Sequence, residues 1–450
     1  MTSTSEQEDA PVKVGRQRLN IVLAIALTVP GILLGLALLF HWPHPELAAP
    51  LEALVFGVAV VGAAFILSWG AEVAQLDISA GLAIAVLALI AVLPEYAVSF
   101  VFAWQGGTAV KNNADGSCVV NGENPCSYVL ANMTGANRLL IGVGWAMVVL
   151  IAWWRFRARG TPRPGIELPR SSAVEVSYLA LATLYSLTLP FKNTVTLFDM
   201  VVLVAIFIAY TVRISKAPAE VPHLIGPAAW VGTFPERRRR ITVGAFFVFS
   251  AIVILLSAEH FAEGLVATGQ SLGISSFFLV QWLAPLASEA PELLVAGLYA
   301  WRLWVTNGLT TLISSKVNQW TLLVGTLPLV FAISSRSFSG LPVDEQQGLE
   351  LLLTASQSLF AVSLLFNLHM SLREGLALLG LFVAQFVLGV VFRDDTELII
   401  VSVAYLALAL LMLVRNRRIL LPVLRDGFRT PYTLLAKADE DQAAPPPAER

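Results

Sequence analysis

"LGISSFFLVQWLAPLASEAPELLVAGLYAW" (272–301) and "LDISAGLAIAVLALIAVLPEYAVSFVFAW" (76–104) are two versions of one segment. Each opens Leu-x-Ile-Ser and runs through an apolar stretch. Each then reaches a Pro-Glu pair, Pro94-Glu95 or Pro291-Glu292, and closes on Ala-Trp. Both are long enough to cross a bilayer as a helix, which takes about 20 mostly apolar residues. A proline inside such a helix removes a backbone donor and clashes with the preceding turn. The helices are therefore expected to break or kink at Pro94 and Pro291. Freed carbonyls in a bilayer need partners, which neighbouring helices, water or a cation supply. A glutamate in the membrane core costs about 2.5 kcal/mol or more, so Glu95 and Glu292 are candidates for function by default.

Working outward, the composition agrees with a membrane chain. Of 450 residues 56% are hydrophobic and 13% charged, against roughly 25% charged in soluble domains. The net charge of -2 says little, because the placement of charges matters more than their sum. Two cysteines exclude a disulfide framework or a cysteine-rich zinc module. Counting apolar runs of about 20 residues gives about twelve spans: 20–41, 50–76, 79–104, 127–153, 172–190, 196–214, 241–271, 274–301, 308–334, 348–368, 373–392 and 396–414. Strands are excluded, because the runs are long and do not alternate. The first run lacks a small-x-small cleavage site and reads as a retained helix, not a cleaved signal. The polar ends, 1–19 and the tail "KADEDQAAPPPAER", are expected to be disordered.

The basic residues fix an orientation. Lys13, Arg16 and Arg18 precede the first span, and Arg155, Arg157, Arg159, Arg163 and Arg170 share one loop. Arg213, Lys216 and Arg237 to Arg240 flank another, and Arg415, Arg417, Arg418 and Arg425 follow the last span. With about twelve spans all four clusters fall on one side, the cytoplasm by the positive-inside rule. The expectation is a plasma (inner) membrane protein with both termini cytoplasmic. The loop holding Cys118 and Cys126 then lies outside, where oxidation permits a disulfide; two free thiols are the alternative.

The two Pro-Glu helices are the third and eighth spans, an odd difference of five, so they cross in opposite senses. That is an inverted-topology repeat, a signature of secondary transporters. The expected architecture is all-α and polytopic: two inverted five-helix repeats, 50–214 and 241–392, joined by a linker at 215–240. Extra helices at 20–41 and 396–414 flank them, and a basic, then disordered tail covers 415–450.

At these motifs the sequence resembles the calcium/cation antiporter superfamily, the sodium/calcium exchanger type of membrane protein. Each repeat of that family carries Gly-Thr-Ser-x-Pro-Glu on one helix and a Gly-Ser-x-x-x-Asn-like segment on the next. Here "IAVLPE" keeps Pro94 and Glu95 but has Ala91 and Val92 in place of hydroxyls. "ASEAPE" keeps Ser288, Pro291 and Glu292 and adds Glu289. In "ISSKVNQW", Ser315 matches the family serine, and Gln319 matches the family amide, or Asn318 if the register slips by one. In "MTGANRLL" the family amide falls at Leu140, leaving Asn132 and Asn137 as the nearest polar substitutes.

The resemblance implies a cation-binding or proton-coupling site built from Glu95, Glu289, Glu292, Ser288, Ser315, Asn318, Gln319, Asn132 and Asn137. Oxygen ligands suit hard cations such as sodium or calcium. Glu289 and Glu292 lie three apart and Ser288 and Glu292 four apart, so all share a face if helical. Two close carboxylates do not both ionise easily in low dielectric; one holds a proton or binds a cation. Lys316 and Arg138 are candidate charge partners, Lys316 for Glu289 or Glu292, unless they snorkel to a wet surface. Glu72, Glu259, Glu263 and His260 are softer candidates for access paths.

The implied function is secondary antiport, moving calcium or another cation against sodium or protons by alternating access. The transported ions, calcium, sodium or protons, take the place of cofactors, and the partners are the lipid bilayer and inorganic cations. No nucleotide or nucleic-acid motif occurs, so ion gradients supply the energy. An enzyme is not expected: His-Glu-x-x-His is absent, and Asp77 and Asp199 sit near helix ends. The alternative function is a degenerate, transport-inactive member acting as a membrane scaffold or sensor.

Overall fold

The computed structural model describes residues 14–77, 93–161, 165–217, 224–391 and 395–443. Fifteen helices are described: α1 (Val14–Leu39), α2 (Ala49–Ala74), α3 (Leu93–Asn112), α4 (Pro125–Ala158), α5 (Ala173–Ser186), α6 (Leu197–Ile214), α7 (Gly226–Gly232), α8 (Glu236–Leu272), α9 (Ser276–Trp301), α10 (Val305–Ser335), α11 (Glu345–Leu365), α12 (Leu372–Val391), α13 (Thr396–Arg415), α14 (Arg417–Phe428) and α15 (Tyr432–Ala443). Nine of them, α1, α2, α4, α5 with its flanking turns, α6, α8, α10, α11 and α13, are long and apolar enough to cross a membrane. α3, α9 and α12 stand beside them with 20, 26 and 20 residues. Residues 79–92, the first half of the expected span 79–104, lie outside the described residues.

Local chemistry sets the helix ends. Thr196 and Asp199 form a capping box at the start of α6, and Asp344 and Gln347 form one at the start of α11. Ser275 accepts from the Phe278 amide at the start of α9. Gly273 takes a left-handed conformation to stop α8.

The arrangement of helices repeats. α2 and α8, the first helices of the two halves, pack along each other, with α1 laid against both. α13 packs on α11. The two halves are stitched together at opposite ends of α5 by short antiparallel pairs. β1 (Gly165–Glu167), between α4 and α5, pairs with β4 (His369–Ser371), between α11 and α12. β2 (Thr194–Val195), between α5 and α6, pairs with β3 (Leu341–Pro342), between α10 and α11. Exchanging the halves turns one pair into the other, as an in-plane pseudo-twofold axis requires. A second matching feature lies inside the third helix of each half. α4 widens into a π-helical turn at Leu140–Trp145, and α10 does so at Gln319–Leu323.

Three expectations need correction. Pro291 does not break its helix: α9 runs unbroken through both Pro285 and Pro291. Each proline removes one hydrogen bond, and the packed neighbours hold the rest of the ladder. α3 begins at Leu93, beside Pro94, and a break there falls at the edge of the described residues. The segment expected to be disordered, 437–450, is helical in its first part: α15 runs to Ala443, after α14. Helix likewise begins at Val14, inside the segment 1–19. Within 215–240, α7 is a short helix packed on α1 and α2, and α8 starts at Glu236.

The tail is held by polar contacts. Arg170 pairs with Asp426 at 2.6 Å, and Asp439 accepts from the Arg170 amide at 2.5 Å. Arg213 donates to the carbonyls of Asp426, Gly427 and Thr430. At the other end of the bundle Cys118 and Cys126 are disulfide-bonded, with Cα atoms 5.9 Å apart. Glu123, in the same loop, accepts from Gln270 at 2.9 Å, tying the loop to α8.

Candidate cation site

The polar centre is built where α3, α9 and α10 meet. Glu95 is in the first turn of α3 and 3% exposed; Glu289 on α9 is 2% exposed; Gln319 on α10 is fully buried. The Gln319 amide donates to Glu289 Oε1 at 2.6 Å and to Glu95 Oε2 at 3.2 Å. One side chain of the second half thus bridges carboxylates from both halves. One turn earlier on α10, Ser315 Oγ donates to Glu292. Pairings 289–319 and 292–315 run in opposite senses along α9 and α10, as a short connection between antiparallel helices dictates. The shared face read from the 289/292 spacing is therefore present.

Buried oxygens are left over. Glu95 Oε1, Glu289 Oε2 and Gln319 Oε1 have no hydrogen-bond partner. Such acceptors are costly unless something donates to them or coordinates them. Their chemistry, two carboxylates and an amide carbonyl, is that of a hard-cation ligand set. Among the described residues no three His, Cys, Asp or Glu side chains converge as a metal cage, so any cage has to be completed by amide and hydroxyl oxygens.

The remaining candidates divide. Asn137 belongs to the centre: Lys316 Nζ donates to its Oδ1 at 2.6 Å and to its carbonyl at 2.9 Å. Asn132 donates to Ser99 Oγ at 2.7 Å, and Ser99 lies one turn past Glu95 on α3. Ser288 is turned back on its own helix, donating to the carbonyls of Ala284 and Pro285. Asn318 Oδ1 is buried without a hydrogen-bond partner among the described residues. Gln319 and Leu140 each open a π turn, so Gln319 holds the position equivalent to Leu140. π turns are frequent at functional sites because they displace side chains from the regular helical face.

The two candidate charge partners are placed differently from that expectation. Lys316 does not bond Glu289 or Glu292; it reaches across to Asn137, with its ammonium 5.0 Å from the centre of the Trp320 ring. Arg138 is outside the centre. It pairs with Glu350 of α11 at 2.5 Å and stacks over Trp282 at 5.0 Å. Neither snorkels: Arg138 is 2% and Lys316 0% exposed. Glu350 was missed by sequence reasoning. Its signal was present, since Glu350, Thr354 and Gln357 recur at helical spacing on an apolar helix, and all three are buried.

Of the softer candidates, Glu263 lines a cavity of about 600 Å³ on the disulfide side, together with Trp104, Gln105 and Glu123. Glu72 is buried in the last turn of α2 and lines neither this cavity nor the next. Gln105 donates to Glu263 at 3.2 Å. A second cavity shares Trp104 and Gln105 and continues along α3 past Phe100 and Ala97, beside Glu259. His260 instead stacks on Phe56.

An all-α bundle with swapped-symmetric halves and a buried, oxygen-rich centre between them is that of a polytopic membrane antiporter. The chain belongs to the sodium/calcium exchanger protein family, which residues 48–216 and 242–391 match. It is similar to the solved structure of an H+/Ca2+ exchanger, CAX. The two are 38% identical over 94% of this chain and 98% of that one, with a TM-score of 0.81. The native structure of YfkE shares the fold, at 14% identity over 87% of this chain and 99% of that one, with a TM-score of 0.56. No curated protein sequence matches. The family is one of transporters and not an enzyme class.

Proposed function

We propose that the chain exchanges calcium for protons by alternating access, at a site made of Glu95, Glu289, Glu292, Gln319 and Ser315. The observation that carries this reading is the single amide of Gln319 holding carboxylates from both inverted halves, with three buried oxygens beside it unpartnered. Clustered carboxylates in low dielectric need a cation or protons to neutralise them. The two occupants therefore exclude one another, which is the requirement for exchange. Protons are preferred to sodium as the counter-ion because the 38% identical structure is of an H+/Ca2+ exchanger. In this reading ions approach from the disulfide side, along α3 by the cavities beside Gln105, Glu263 and Glu259; that side is outside the cell, with both termini in the cytoplasm.

The test is calcium flux in proteoliposomes under an imposed pH gradient, then a sodium gradient. Wild type moves calcium against protons. Glu95→Gln, Glu289→Gln and Glu292→Gln abolish flux while the protein stays folded. Gln319→Leu, which removes the bridge but no charge, weakens apparent calcium affinity by about 10–100-fold. Folded wild type with no flux under either gradient would overturn the reading in favour of a transport-inactive scaffold.

A further inference from the structure

Lys316 brings a basic side chain, fully buried, into the middle of the proposed cation site. Its position is set by the repeat. Lys316 lies three residues before Gln319, where the π turn of α10 begins; Asn137 lies three residues before Leu140, where the π turn of α4 begins. Lys316 and Asn137 are therefore mates under the pseudo-twofold axis, and they bond each other, so their contact sits at the axis itself. The ammonium takes two oxygens of the first half, Asn137 Oδ1 and the Asn137 carbonyl, which are ligands of the hard-cation type.

The charges around it are few. Glu95 of α3 and Glu289 of α9 interact electrostatically with Lys316, and Glu292 of α9 interacts with both of those carboxylates. Arg138 of α4 also faces Lys316, but Glu350 of α11 pairs with it. The centre thus holds three carboxylates and one ammonium. Counted with every group ionised, two negative charges remain, which one divalent cation neutralises, or two protons.

We propose that Lys316 is a resident cation, seated on Asn137, that sets the exchange at one divalent cation for two protons and so makes it electroneutral. This rests on the proposed calcium–proton exchange and adds its stoichiometry. Among the described residues Lys316 makes no other hydrogen bond in the site, so its role is through charge and through the oxygens it occupies.

The experiment is the reversal point of calcium flux in proteoliposomes, with membrane potential set by potassium and valinomycin. For wild type, flux reverses when the calcium gradient equals the square of the proton gradient, at every potential. Lys316→Arg, which keeps the charge, gives the same reversal point. Lys316→Gln leaves three negative charges, so a third monovalent ion joins the cycle and the reversal point shifts with potential. Wild-type flux that reverses at another ratio, or that shifts with potential, overturns the proposal. So does Lys316→Gln exchanging calcium with the wild-type ratio. If Lys316→Gln fails to insert, the wild-type and Lys316→Arg reversal points still decide. An absence of any calcium–proton exchange in wild type is a different result, and it removes the proposed function itself.

Discussion

Arg138 and Lys316 both bring a positive charge into the bundle, and the two charges are settled differently. Lys316 is met by neutral oxygens and by carboxylates at a distance. Arg138 is met directly by Glu350 and by the face of Trp282. A buried pair is costly to break from one side, by about 3–5 kcal/mol, because an unpaired charge stays behind. Replacing both partners with apolar residues of similar volume is often neutral. Glu350→Gln is therefore expected to lower the melting temperature in detergent sharply, and Arg138→Met with Glu350→Met together to restore most of the loss. An equal loss in the single and double variants would show that the pair's shape, not its charge, matters. At this scale the sequence named Glu95, Glu289, Glu292 and Gln319, because a polar residue in an apolar run announces itself. It named no partner for Arg138. Glu350 stands 212 residues away, and a sequence carries no mark of which distant acid folds onto which base.

The helices were legible as elements and illegible in their details. Hydrophobic run length alone places most of them, but a π turn adds one residue to a turn without any compositional trace. Of the break or kink expected at Pro291, the break is absent, because packing holds the helix on both sides of the proline. Pro285 shows what such a proline does here. It removes the donor for the carbonyl four residues earlier, that of Gln281. That same carbonyl lies against Gly135 of α4, where an added Cβ would stand 1.7 Å from it. Glycine is thus required by backbone contact between the two halves, and no rotamer change relieves a clash with backbone. Gly135→Ala is expected to cost about 1–3 kcal/mol or to prevent assembly. Gly244→Ala, on α8 with nothing within 4 Å, should be neutral or slightly stabilising through helix propensity. Thermal unfolding of the two variants side by side measures the difference; equal melting temperatures would mean that α4 and α9 yield at this crossing.

Over the whole molecule, the inverted halves were read from one duplicated segment, while the ties between them were not. The β pairs and the docked tail join residues too short or too polar to signal an element. One more tie joins the end of α2 to the start of α8. Asp77 bonds Arg239 bidentately, at 2.6 and 2.8 Å, and Arg240 at 3.3 Å. The Arg239 hydrogen bonds hold the Asp77 carboxyl below its ordinary range, against the opposing pull of desolvation. A carboxylate whose folded pKa is depressed contributes its stability above the unfolded value of about 3.9. The contribution is lost as pH falls through the lower, folded value. Hydrogen bonds to charged groups are worth about 1.5–3 kcal/mol, and the partly exposed arginines place this one near the low end. Asp77→Asn should therefore lower stability at neutral pH by about 1–2 kcal/mol. The gap between variant and wild type should narrow in melts at progressively more acid pH, because protonated Asp77 no longer holds the arginines as an ion. A gap that stays constant into acid would assign the tie to packing between the ends of α2 and α8 and not to the Asp77 charge.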